Sequence, residues 1–267
     1  MRKWFYILLA ILPMLACVGQ KDDPVEGPDP EEPGPEDPGG AEEGKDFFRR
    51  SLVLDFTGTW CVNCPKMDAA IEESMAARPG RIVPVSVHCM AVDPMYVKPL
   101  SDDLVKQFGV KAYPSAVVDM DPESLITVSS SELLLNHVDR LLADRKLAAG
   151  VRIETTLDAG KYTLKAEMKA VRDGDYTLAV LVLEDGIVAA QTGGAADQVH
   201  NNVLRSWTEG EPHTGLHEGD TATLELTGDI ADKGRFVVVV LRNGLVDNVA
   251  GCAPGASAGW QYEEETE

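Results

Sequence analysis

Two cysteines three positions apart, Cys61 and Cys64 in the stretch Phe56-Thr57-Gly58-Thr59-Trp60-Cys61-Val62-Asn63-Cys64-Pro65, are the residues of this chain best suited to covalent chemistry. Such a pair can be a redox couple, a structural clip or half of a metal site. A zinc site needs four ligands, and His88-Cys89 adds two, with no second pair of the same spacing in the chain. Cysteine reactivity depends on the thiolate, which is favoured at a helix N-terminus by free N–H groups and the helix dipole. An apolar run at 52–56 leads through Gly58 to the pair, and residues 67–75 carry a helical pattern. Cys61 is therefore expected to stand exposed at the helix start as the attacking thiol. Cys64, one turn on and more buried, would resolve the mixed disulfide. Pro65 suits this placement, because a first-turn position has no intrahelical N–H bond to lose.

The elements that must hold this pair are legible in the hydrophobic pattern. Up to Gly150, short apolar runs at 52–56, 82–88 and 115–119 alternate with helical stretches at 64–77, 101–108 and 132–147. That alternation predicts an α/β sheet covered by helices. After Gly150 the period becomes two. Val151, Ile153, Thr155 and Leu157 share one face, and Tyr162, Leu164, Ala166 and Met168 repeat it beyond the turn at Asp158-Ala159-Gly160. Further strands at 176–183 and 236–241 are punctuated by Asp173-Gly174, Asp185-Gly186 and Asn243-Gly244. The expectation is an α/β domain over 46–150 and a small all-β, immunoglobulin-like sandwich over 151–267. Residues 191–220 read as a long irregular loop, a feature that is functional or disordered.

Over roughly 45–150 these residues resemble the thioredoxin-like superfamily. Trp60 directly precedes the first cysteine, as it does there. Asp55, six residues before Cys61, matches the family's buried acid, and the resemblance implies that it takes the proton of Cys64. Tyr113-Pro114, ahead of the apolar run 115–119, matches the cis-proline turn that lies against the cysteines and shapes the substrate groove. The chain departs from thioredoxin in lacking a lysine in 82–88, where His88 ends the run, and in placing Val62-Asn63 between the cysteines. The same cysteine motif and the stretch Val199-His200-Asn201-Asn202-Val203-Leu204-Arg205 also resemble the outer-membrane protein 28-related family. That likeness implies a bacterial lipoprotein joining a thioredoxin-like domain to a C-terminal β domain. No organic cofactor or metal is implied, and the partners would be protein or small-molecule thiols and disulfides.

The remainder of the chain concerns location. Met1-Arg2-Lys3, an apolar stretch and Leu15-Ala16-Cys17 read as a signal peptide over 1–16, too short to span a bilayer core that needs about 20 residues. Leu15-Ala16-Cys17 resembles a lipobox, which makes Cys17 the lipidated N-terminus and membrane anchor. Val18-Gly19-Gln20-Lys21-Asp22-Asp23 looks like an acidic surface-export signal of some Gram-negative lipoproteins. Residues 21–45 hold ten acids against two bases among many prolines, so 17–45 reads as an extended, self-repelling tether. The expected location is the outer membrane, lipid-anchored and exposed at the cell surface. A net charge of −20 excludes nucleic acid as a natural partner, since binding it needs a basic face. Cys89 and Cys252 remain as thiols that could pair or stay buried, and His200, His213 and His217 share the long loop without a metal-binding spacing. The rival to an exchange enzyme is an adhesion or binding lipoprotein whose cysteines form a fixed clip.

Overall fold

The computed structural model of the protein describes residues 45–144 and 148–264, all within one compact unit, Pro38–Glu267. The signal segment, Cys17 and nearly all of the acidic tether lie outside the described residues. The chain runs β1 (Ser51–Thr57), α1 (Cys64–Ala77), β2 (Ile82–His88), α2 (Leu100–Phe108), β3 (Ser115–Val118) and α3 (Ser131–Asp144). Then follow β4 (Gly150–Asp158), β5 (Lys161–Lys169), β6 (Gly174–Glu184), β7 (Ile187–Ala189), β8 (Gln198–His200) and β9 (Val203–Glu209). The last strands are β10 (His213–Leu216), β11 (Thr221–Asp229), β12 (Gly234–Arg242), β13 (Leu245–Cys252) and β14 (Ser257–Ala258).

Strand β1 is buried at every position, as expected of a central strand covered on both faces. It pairs parallel with β2 and antiparallel with β3. One face, carrying Val53, Ala116 and Val118, packs on Met67 and Ile71 of α1 and on Leu134, Val138 and Leu141 of α3. Helix α1 starts with Pro65 in its first turn, and α2 stops at Gly109, whose φ of 64° gives the left-handed C-cap. This half is the expected thioredoxin-like arrangement of sheet and helices.

The opposite face of β1 and β2, with Leu52, Leu54, Phe56, Val85 and Val87, meets strands of the second half instead of a helical layer. Ala179, Leu181 and Leu183 of β6 and Val237, Val239 and Leu241 of β12 complete that core, with Leu104 and Phe108 of α2 beside them. The alternate residues of the same two strands, Leu178, Val180, Phe236, Val238 and Val240, face Ile153, Leu164, Ala166 and Met168 of β4 and β5. Strands β6 and β12 thus form a middle layer buried on both sides, which is why 236–241 is unbroken apolar sequence. The β4–β5 and β12–β13 turns, Ala159-Gly160 and Asn243-Gly244, have positive φ at both central residues, the two-residue hairpin geometry.

One eight-stranded sheet runs β13-β12-β6-β9-β2-β1-β3, with β10 beside β6, and a second sheet runs β11-β5-β4-β14. The join between the halves is β9, which pairs parallel with β2 at Ser86 and Val203 and antiparallel with β6. The region 191–220, expected to be one irregular loop, therefore supplies β8, β9 and β10. The strand β9 departs from regular alternation: Val203 and Leu204 are buried, Trp207 is half-buried against the core, and its other residues are polar. At the other end of the path, β13 lies against β1 and against Asp119, the residue after β3. The Val246 N–H donates to the Asp119 carbonyl at 3.0 Å, and Arg49 Nε donates to the Asp247 carbonyl at 3.1 Å. The two ends of the described body also meet: Phe47 bridges to Tyr262, and Arg81 forms an ion pair with Glu263.

Candidate redox site

The cysteine pair sits where strand β1 hands over to helix α1. Cys61 and Cys64 form a disulfide, their Cα atoms 5.5 Å apart, and Cys64 opens the helix. The preceding turn is closed by the Cys61 N–H donating to the Gly58 carbonyl at 3.0 Å. Trp60 folds back so that a Cβ on Gly58 would lie 2.5 Å from its ring nitrogen, which makes glycine necessary there. The indole N–H donates to the Cys89 carbonyl at 2.9 Å, and the ring stands edge-on to Tyr113, centroids 5.2 Å apart. Tyr113–Pro114 is a cis peptide bond, and the ring contact between Tyr113 and Trp60 joins this turn to the cysteine loop.

Cys61 is not exposed as its place before the helix led one to expect; only 5% of it reaches solvent. The reason lies 130 residues away in sequence. Gln191, between β7 and β8, donates its side-chain amide to the carbonyls of Cys61 at 2.9 Å and Gly58 at 3.2 Å. The Thr192 N–H donates to the Thr59 carbonyl at 2.7 Å. Gly193, at φ +80°, comes so close that a Cβ there would stand 2.5 Å from the Val62 carbonyl oxygen. Residues 191–194 are thus a cap on the cysteine loop, and only the glycine at 193 permits the fit. Gln191 was the functional residue that sequence reading missed; its signal was its place in an unusually long inter-strand segment.

Asp55 is buried on the helix-facing side of β1, and no donor other than a protonated Asp68 reaches its oxygens among the described residues. Burial, and then the neighbouring Asp68 carboxyl, raise its pKa well above the ordinary value. Asp68, on α1, is raised as well, by burial and by Glu72, against the opposing pull of Asp55 and His88. His88 Nδ1 lies 3.0 Å from Asp93 Oδ2, and its ring is edge-on to His200, 5.4 Å between centroids. Burial alone would raise Asp93, but His88 and the N–H groups of Met95 and Thr59 hold it below its usual value. Cys89 is free and buried, its thiol pushed up to about 12 mainly by burial, and is therefore no nucleophile at neutral pH. Cys252 is also free, so the two do not pair. Among the described residues no group of three His, Cys, Asp or Glu side chains has metal-binding geometry.

No family model matches the chain, and no characterised protein matches it in sequence. Solved structures similar in fold include two that match over most of both chains. HBP35 of Porphyromonas gingivalis superposes with a TM-score of 0.65 and 14% identity, over 84% of this chain and 87% of its own. A protein from Agrobacterium tumefaciens does so with a TM-score of 0.56 and 13% identity, over 80% of this chain and 97% of its own. Coverage of that extent includes both halves of the folded body. What this chain shares with these bacterial proteins is its fold, which here builds a thioredoxin-like half against a β half.

Proposed function

We propose that the protein is an outer-membrane or surface lipoprotein that carries out thiol-disulfide exchange through Cys61 and Cys64. The observation that carries this reading is the disulfide itself, at the start of α1 and beside the cis Tyr113–Pro114 turn. In the exchange, Cys61 is attacked or attacks, Cys64 resolves, Asp55 takes up the Cys64 proton, and Tyr113 with Pro114 shapes the groove for a protein or small-molecule disulfide. Residues 1–16 act as signal peptide, Cys17 as the lipid-bearing anchor and 17–45 as the tether, with 46–150 the redox half and 151–267 an immunoglobulin-like β half. The facing of β4 and β5 against β6 and β12 supports that last description. Membership of the outer-membrane protein 28-related family belongs to the same proposal and rests on the motifs quoted above.

The deciding experiment equilibrates the protein against glutathione buffers and traps free thiols. A couple between roughly −120 and −270 mV supports turnover and tells oxidant from reductant, and Cys61→Ser then abolishes exchange in a folded protein. A potential below roughly −300 mV marks a structural disulfide. One observation favours that second reading, a non-enzymatic binding or adhesion lipoprotein: the cap of residues 191–194 leaves Cys61 almost without solvent contact.

A further inference from the structure

A cavity of about 110 Å³ lies between α1, the side of β1 and β2 that faces it, and the β8–β9 turn, its wall including Asp55, Asp68, His88 and His200. It is polar and large enough for several waters. Two of its groups lack what buried polar atoms normally have. Asp55, 2% exposed, meets no donor but Asp68, and His200 Nε2 is buried without a hydrogen-bond partner among the described residues. Buried polar groups are nearly always satisfied, so unsatisfied ones facing a common space call for a function or for water. On α1, Cys64 and Asp68 are four residues apart and therefore stacked on one face, which carries the cysteine's surroundings to the cavity. At the far rim, Val199 and Asn201 are exposed, so the space reaches solvent through the β half.

We propose that this cavity is the proton exit of the disulfide centre, leading from Cys64 through the Asp55–Asp68 carboxyl pair and cavity water to His200. The inference rests on the exchange activity proposed above. In the reducing direction the Cys61 thiolate attacks a substrate disulfide R–S–S–R′, forms the Cys61–S–S–R bond and expels R′–S⁻. The Cys64 thiol then gives its proton to Asp55, and its sulfur attacks Cys61 Sγ, closing the protein disulfide and expelling R–S⁻. Two electrons have passed to the substrate, and its two thiolates take up protons from solvent, including the one released through the cavity. In the oxidising direction the proton travels inward. A carboxyl pair sharing one proton keeps one negative charge, and that charge is the place for the proton of Cys64. The groups facing the pair are Glu72 on α1, His88 on β2 with its partner Asp93, and His200 on β8. Burial and the charge of His88 lower the His200 pKa, so at neutral pH its imidazole is uncharged and able to accept. Asp68 and His200 are thus relay residues supplied by α1 and by the second half, and the β half becomes part of the redox centre.

The test uses the full chain in its dithiol form, reducing dithiodipyridine in a stopped-flow instrument across a pH series. Of the two pyridinethione releases that a Cys61→Ser, Cys64→Ser chain lacks, the second reports the Cys64 step. Asp68→Ala removes the carboxyl that raises the Asp55 pKa, and is expected to move the acid limb of that second step downward by about one pH unit. His200→Gln, at the rim, is expected to slow its plateau severalfold with the limb in place. Thermal unfolding of each variant shows that it is folded, and His200→Gln serves alone if Asp68→Ala is not. A second step that keeps the wild-type limb in Asp68→Ala, or the wild-type plateau in His200→Gln, overturns the relay. A wild-type protein that releases no more pyridinethione than the Cys61→Ser, Cys64→Ser chain at any pH instead removes the exchange reading on which the relay rests.

Discussion

The side-chain amide of Gln191 donates to the carbonyl oxygen of Cys61 across 2.9 Å, and so binds the β half directly to the loop that carries the disulfide. The same nitrogen reaches the Gly58 carbonyl at 3.2 Å, and the neighbouring Thr192 N–H reaches that of Thr59. The contact makes the accessibility of the cysteines depend on a segment outside the thioredoxin-like half.

Loosening this cap is expected to speed reduction. Gln191→Ala removes the donor from two buried carbonyls, at a cost of about 1–3 kcal/mol in stability. The rate at which dithiothreitol reduces the Cys61–Cys64 bond should rise. Gly193→Ala should act in the same direction, since its Cβ would collide with the Val62 carbonyl at a backbone angle that favours glycine. A thiol-trapping time course checks both, and equal rates in wild type and variants would show that the cap does not limit access.

A second expectation concerns the seam between the halves. Arg49 is 2% exposed, forms an ion pair with Asp119 at 2.6 Å and donates to the Asp247 carbonyl at 3.1 Å. Asp119 in turn accepts the Leu52 N–H of β1 at 2.8 Å. Arg49→Ala takes the guanidinium from a buried carboxylate and is expected to cost about 3–5 kcal/mol. Denaturant unfolding measures it, and a loss below about 1 kcal/mol would show that the seam does not depend on the pair.

The raised pKa of Asp55 has a signed consequence for stability. In the unfolded chain this carboxyl loses its proton near pH 4, whereas the folded protein retains it to higher pH. Its contribution is therefore fully present below about pH 4 and is lost as pH rises toward the folded value. Each pH unit between the two titrations is worth about 1.4 kcal/mol. Asp55→Asn carries no such proton, so its Tm advantage over wild type should grow from pH 4 to pH 8. A constant difference across that series would contradict the shift.

Attachment to the membrane is tested separately. Cys17→Ala is expected to release the protein from the membrane fraction, and protease added to whole cells should remove the wild-type protein if it is displayed at the surface. A Cys17→Ala protein that sediments with membranes would refute the lipid anchor.

Sequence alone determined the elements whose burial pattern is local. The extents of α1 and β2 agree with the runs read at 64–77 and 82–88, and the hairpin at Asn243-Gly244 follows from two residues that tolerate positive φ. The cysteine spacing was legible in the chain itself, whereas Asp55 and Tyr113-Pro114 were singled out by the resemblance to the thioredoxin-like superfamily. Tertiary structure decided what depends on partners far away. The runs 176–183 and 236–241 read as strands, but nothing within them shows that both faces are buried, one against β1 and β2 and the other against β4 and β5. The place of β9 beside β2 was not legible, because that pairing rests on a backbone match at Ser86 and Val203, to which side-chain pattern contributes little. The burial of Cys61 and the meeting of Asp55, Asp68, His88 and His200 were likewise set by chain folding, because hydrogen bonds and shared cavities join residues by position in space, whereas periodicity reports only which face of an element is apolar.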